Sequence, residues 1–347
     1  MAVPLRKKLQ IAGSLVMTIV GLSILLSPTD YIPTPASIRA TSLYSQSNYL
    51  HRGDTHYRRD IAVATFLTGE SESWKYQEEG NYLVATRTLT YQLRHSPRTR
   101  LDPSIPFLIL VTDDVSTASR ERLTEDGAIV VPVDKVETNL TVMEPRWKDC
   151  WTKLRLFDPD IVPYERVLFM DGDTVLTRPI DGVFDDPAAQ FTYSRQNSDE
   201  IKSDEKPLPE RYLFAGKTEA GTYEHSFPPD TSGNYLNAGF FLYSPSHEVM
   251  QYYMSVLSIP DRFDPMMPEQ NLLNYAHRQE GNMPWQKLNY TWNMNFVTPQ
   301  DMEGGVASLH IKSWDKSLQQ EVIDYALRCR WEMEGFWIGV NATKEQQ

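Results

Sequence analysis

The sequence predicts an α/β fold with a mostly parallel central sheet flanked by helices. Two observations carry that prediction. Short apolar runs bounded by turn residues alternate with stretches of helical character, and such alternation builds a parallel sheet covered on both faces. The chain is also long enough to bury such a sheet, with 347 residues of which 41% are hydrophobic.

Taken in order, Ile61–Leu67 (IAVATFL) is the first predicted strand, apolar and β-branched. After a polar loop, Leu83, Val84, Leu89 and Leu93 place a helix over Asn81 to His95. The run Phe107–Thr112 is a second strand; it ends in Asp113-Asp114 and leads into a short charged helix, Ser116 to Glu125, stopped by Gly127. Ala128–Val133 is a third strand, Trp151–Phe157 a helix, and Arg166–Met170 a fourth strand running straight into Asp171-Gly172-Asp173. Ligands of such a sheet lie beyond the carboxyl ends of its strands, which is where Asp171 and Asp173 stand. Gln196 to Pro229 is charged, Pro-bearing and aperiodic, and reads as a surface excursion or lid. A strand over Tyr235–Tyr243 and helices over His247–Leu257 and Glu269–His277 follow.

Charge and short motifs exclude several functions. Asp and Glu number 46 against 34 Lys and Arg, a formal charge of −12 that repels phosphate backbones, so nucleic acid is not an expected partner. No GxGxxG follows the first strand and no GxxxxGK[ST] occurs, which removes the dinucleotide and P-loop fingerprints. Two cysteines, Cys150 and Cys329, are too few for a disulfide framework and allow at most one bridge.

The N-terminus supplies an address. Leu9 to Leu26 carries no charge and as a helix reaches ~27 Å, about one hydrocarbon thickness. Arg6, Lys7 and Lys8 precede it and no basic residue follows until Arg39, the bias of a type II signal anchor. The alternative is a cleaved signal peptide, whose apolar core usually spans about 7 to 15 residues. The expected organisation is a cytoplasmic tail (1–8), an anchor (9–26), a Pro- and Ser-rich stem (27–58) and a lumenal catalytic head (59–347) in the Golgi or secretory-pathway membrane. Sequons at Asn139, Asn289 and Asn341 are compatible with glycosylation in that compartment.

At a strand terminus, two carboxylates spaced i, i+2 on a bending backbone can converge on one hard divalent cation. A second Asp-x-Asp, Asp158-Pro159-Asp160, closes a helix rather than a strand and lacks that context. Asp171-Gly-Asp-Thr-Val175 also resembles the phosphatase motif of the haloacid dehalogenase-like superfamily, although that family places its motif on the first strand.

Five blocks in order make the sequence more specific. Thr152-Lys153-Leu154, Arg166 through Leu176, Leu236 through Pro245, Glu269 through Asn274 and His310 through Trp314 resemble the glycogenin-like members of glycosyltransferase family 8. The resemblance runs from about Ile61 to Asp315. It implies a GT-A fold, Rossmann-like in appearance, using a UDP-sugar and Mn²⁺ with retention of configuration and handing a hexosyl or N-acetylhexosaminyl unit to a glycan acceptor. It further implies that Asp171, Asp173 and His310 bind the metal and that Lys153 contacts the donor and stabilises charge. Gln270 would lie on the sugar face opposite the leaving UDP, with Asn237, Gly239 and Glu269 nearby, while Thr65 and Leu67 border the nucleoside and Lys312 offsets diphosphate charge. The sequence departs from the family pattern at Gly172, where Ala or Ser is common, at Glu269, where Asp is common, and in the short spacing between His310 and Lys312. The non-enzymatic alternative is a lumenal sugar-binding protein that has kept the fold without turnover.

Overall fold

The computed structural model describes residues 57–69, 80–315 and 317–346 of the chain. The predicted tail, the anchor at Leu9–Leu26 and the stem up to residue 56 lie outside the described residues, among which no helix is long and apolar enough to cross a membrane.

The described elements are, in order, β1 (Ile61–Leu67), α1 (Asn81–Arg94), β2 (Phe107–Val111), α2 (Thr117–Glu125), β3 (Ile129–Pro132), a 3-10 segment (Pro145–Phe157), β4 (Arg166–Met170) and β5 (Thr174–Leu176). There follow a 3-10 turn (Asp181–Asp185), β6 (Thr192–Tyr193), a second 3-10 turn (Ser198–Glu200), β7 (Arg211–Tyr212), β8 (Phe214–Thr218), β9 (Leu236–Tyr243), α3 (His247–Leu257) and α4 (Pro268–Ala276). The chain closes with β10 (Gln286–Lys287), β11 (Asn293–Met294), α5 (Pro299–Glu303), β12 (Ser308–His310) and α6 (Gln320–Lys344).

A seven-stranded sheet runs β10-β8-β9-β4-β1-β2-β3. β1 pairs in parallel with β2 and β4, and β2 in parallel with β3, whereas β9 runs antiparallel to both β4 and β8. The fold is therefore the expected α/β arrangement with a mostly parallel central sheet between helices. Side-chain alternation along β1 divides the core: Ala62, Ala64 and Phe66 join the apolar layer beneath α3 and α4, while Ile61, Val63 and Leu67 join that beneath α1 and α2. Local chemistry sets helix starts, since the Ser116 hydroxyl accepts from the Ser119 N–H at 3.1 Å and that of Ser246 from the Val249 N–H at 3.1 Å.

Three expectations change. The helix expected over Trp151–Phe157 is the end of a 3-10 segment that begins at Pro145, and its three-residue period puts Trp151, Leu154 and Phe157 on one fully buried face. The stretch Gln196 to Pro229, expected as a surface excursion, contributes β8 to the main sheet with all five residues buried. Lys217 hid that strand in the sequence: its ammonium lies buried against the Thr218 carbonyl (3.3 Å) and Met294 Sδ (3.4 Å), and burial pushes its pKa down to about 8 against the pull of Asp301 and Glu219. The predicted pattern also ended before α6, which docks Val322, Ala326 and Cys329 with the small β11-β12-β5 sheet in a third apolar cluster and packs against α1. Cys150 and Cys329 are both free thiols.

His277, at the end of α4, is held neutral. Its Nδ1–H donates to the Met283 carbonyl (2.7 Å), its Nε2 accepts from the Tyr253 hydroxyl, and its ring stacks on Phe214 at 4.0 Å. Burial lowers its pKa to about 3 despite the Met283 carbonyl. Below the ordinary value the unfolded chain binds a proton that the folded chain refuses, so stability is lost as pH falls from about 6.5 towards 3. Denaturant unfolding at pH 7 and pH 4.5 should show a smaller acid loss in His277→Gln than in wild type, by ~2 kcal/mol.

Candidate active site

The carboxyl ends of β1 and β4, the 3-10 segment, the start of α4 and the strand β9 enclose a cleft of about 380 Å³. Leu67, Lys153, Asp171, Asp173, Asn237, Gly239, Glu269, Gln270, His310 and Lys312 all line it. Thr65 does not. It lies two residues short of the strand end, wholly buried, so the β1 contribution to the wall comes from Phe66 to Gly69.

Three backbone connections build the floor. The Asp171 N–H donates to the Gly239 carbonyl at 2.9 Å, the Thr174 N–H turns back to the Asp171 carbonyl at 3.2 Å, and β5 pairs antiparallel with β12 so that His310 stands opposite Thr174. The Ile311 N–H then donates to the Asp173 carbonyl at 2.9 Å. A histidine far along the sequence thereby arrives beside the aspartate pair.

Glycine is required at two points of close approach. A Cβ on Gly239 would lie 2.7 Å from His310 Cε1 and Nδ1, so only glycine lets the imidazole reach the carboxylates. A Cβ on Gly172 would lie 2.5 Å from Thr86 Oγ1, which explains glycine between the two aspartates.

The charges interlock. Lys153 Nζ sits 2.7 Å from Asp171 Oδ1 and 2.8 Å from Glu269 Oε1, and Lys312 Nζ sits 3.1 Å from Asp173 Oδ2. Burial opposes the charge on Asp173, yet Lys312 and His310 outweigh it and hold the carboxyl far below the usual range. Burial likewise opposes the Lys153 charge, and Asp171 and Glu269 outweigh it and raise its pKa. Burial raises the Glu269 carboxyl, with Lys153 pulling the other way. Cys150 also lines the cleft, but burial pushes its thiol well above the ordinary range and makes it a poor nucleophile.

The residues fit a divalent cation. Donor atoms of Asp171, Asp173 and His310 all lie within 4.8 Å of one another. His310 Nε2 is buried without a hydrogen-bond partner, although it stands 2.9 Å from Asp173 Oδ1 and 3.8 Å from Asp171 Oδ2. Adjacent ligands of an octahedral ion with ~2.1 Å bonds stand about 3.0 Å apart, which the orphaned nitrogen and Asp173 Oδ1 match, with Asp171 Oδ2 close enough to share the ion after a small shift. Asp158, Asp160 and His247 form a second such trio, but the Asp160 and His247 side chains are 51% and 58% exposed and the group lies outside the cleft.

Sequence reasoning missed two groups. Glu219, just beyond β8, accepts from Gln270 Nε2 at 3.0 Å; the charged stretch around it concealed the strand end that places it. Asp114 lines the cleft and accepts from the Gly69 N–H (3.0 Å) and Lys135 Nζ (2.8 Å), while Lys135 also meets Asp149 Oδ2 at 3.0 Å and so ties the 3-10 segment to the ends of β1 and β2. The doublet Asp113-Asp114 after a predicted strand was the available signal.

No protein-family model matches the chain. It is similar to an uncharacterized protein of Schizosaccharomyces pombe, 28% identical over 69% of each chain, and to another from that yeast, 26% identical over 81% of each. It is also similar to galactinol synthase 5 of Arabidopsis thaliana, 23% identical over 65% of this chain and 63% of the relative. Among solved structures, an active-site mutant of LgtC covers 78% of this chain and 95% of its own at 13% identity with a TM-score of 0.47. Mouse xyloside xylosyltransferase 1 covers 73% and 97% at 13% identity with a TM-score of 0.44.

Calorimetric titration with Mn²⁺ should show binding to the wild type and a loss of about tenfold or more in Gly239→Ala, which displaces a ligand without removing one. Asp173→Ala should lose at least as much with its circular dichroism unchanged; undiminished affinity there would refute the cation site.

Proposed function

We propose that this protein is a family 8 glycosyltransferase with a GT-A fold that moves a hexosyl or N-acetylhexosaminyl unit from a UDP-sugar to a glycan acceptor with retention of configuration. The observation that carries the reading is the convergence of Asp171, Asp173 and the orphaned His310 Nε2 on one point at the strand-end floor of the cleft. The order of the five sequence blocks and the similarity to galactinol synthases support it. A divalent cation held by these three residues, Mn²⁺ by the family resemblance, would neutralise diphosphate charge as a Lewis acid.

The chain's own groups account for the rest of the chemistry. Lys153 and Lys312 flank the aspartates with ammonium groups kept charged by their carboxylate partners, and so offset negative charge building on a departing UDP. Leu67 and its neighbours at the end of β1 form an apolar wall for the nucleoside. Asn237 and Gln270 supply polar atoms at the sugar end. Glu269 is 5% exposed and paired with Lys153, so its work in this reading is to hold that lysine.

We further place the protein in the Golgi or secretory-pathway membrane, held by Leu9–Leu26 with the head in the lumen. Alkaline carbonate washing should leave the protein with the membranes, and release of an N-terminally trimmed soluble form would overturn the anchor.

The activity itself is tested by incubating the protein with a panel of UDP-sugars and Mn²⁺ and measuring UDP release. Release that depends on the cation and disappears in Asp173→Ala is expected; turnover of a phosphomonoester with no UDP release from any donor would replace this reading with a phosphatase.

A further inference from the structure

We propose that Glu219 is a positioning residue whose carboxylate fixes the orientation of the Gln270 side-chain amide and polarises its carbonyl oxygen for the sugar end of the cleft. The inference rests on the reading of the cleft as a nucleotide-sugar site.

Gln270 lines the cleft at 8% exposure, and every polar atom of its amide has a partner. Its Oε1 accepts from the Ala238 N–H at 2.9 Å, while Nε2 donates to Glu219 Oε2 at 3.0 Å and to the Tyr235 hydroxyl at 3.1 Å. Turning the amide over would set Oε1 against the Glu219 carboxylate and Nε2 against the Ala238 N–H, so two repulsions exclude the alternative. Asn237, beside it in the lining, is held separately, its Oδ1 accepting from the Gly239 N–H at 2.9 Å. One carboxylate outside the cleft lining thus orients the polar side chain that α4 presents to it.

The charge adds something orientation alone does not. A carboxylate accepting an amide N–H draws electron density through the amide towards its oxygen, and this charge-assisted bond is strengthened by burial. Gln270 Oε1 has a second lone pair beyond the one given to Ala238. That lone pair becomes a stronger partner for positive charge developing on a sugar ring, an effect felt more in the transition state than in the bound donor. Burial raises the Glu219 carboxyl, and the Gln270 donor pulls partly the other way.

The test uses the full chain with Mn²⁺ and UDP-glucose, UDP-galactose and UDP-N-acetylglucosamine as probes. With the donor that the wild type cleaves, Glu219→Gln, which keeps size and a hydrogen-bond acceptor but removes the charge, should lower kcat about tenfold while the donor KM stays within about twofold. Glu219→Asp, which keeps the charge, should lose less kcat than Glu219→Gln. Unchanged kcat in Glu219→Gln, a KM effect alone, or an equal kcat loss in both variants would overturn the polarising role while leaving the transferase reading intact. Absence of cleavage by the wild type with all three donors would overturn both.

Discussion

The antiparallel pairing of β5 with β12 is the constraint on which the site depends. Two aspartates on one bending strand end provide neighbouring carboxylates and no more. The third side chain arrives because Thr174 and His310 are opposed in register and because the Ile311 N–H is spent on the Asp173 carbonyl. A slip of one residue in this short ladder would turn His310 to the other face of the small sheet. Its register is held from outside: Gln92 of α1 donates to the Leu176 carbonyl and accepts from its N–H, and Tyr325 of α6 donates to the same carbonyl.

The balance of charge in the cleft follows from that geometry. On the floor Asp171, Asp173 and Glu269 are set against Lys153 and Lys312, while Asp114 and Asp149 farther along the lining share Lys135. The negative surplus would attract a divalent cation, whose charge would offset it.

Much of this was legible in the sequence, for physical reasons. β1, β2 and β4 are buried on both faces, so they appear as continuous apolar runs, and Asp171 and Asp173 follow one of them directly. The resemblance to a known family then selected His310, Asn237 and Gln270, which periodicity alone could not. What escaped notice escaped for reasons equally specific. β8 contains a buried lysine and a glycine in five residues, so neither alternation nor an apolar run marks it, and Glu219 at its end was lost with it. The resemblance puts Thr65 beside the nucleoside, but in space the wall begins one residue later, at Phe66. The 3-10 segment hid its length because Pro145 and the charged residues after it do not repeat at the helical period.

The docking of α6 on the small sheet has a consequence for how the molecule is made. The parallel core from β1 to β4 precedes His310 and the helix that steadies its ladder by more than a hundred residues. During vectorial synthesis the nascent chain would therefore fold its central sheet while its chemistry is still incomplete. A chain that stops short of residue 310 would keep this core and lack the third side chain of the Asp171, Asp173 and His310 trio.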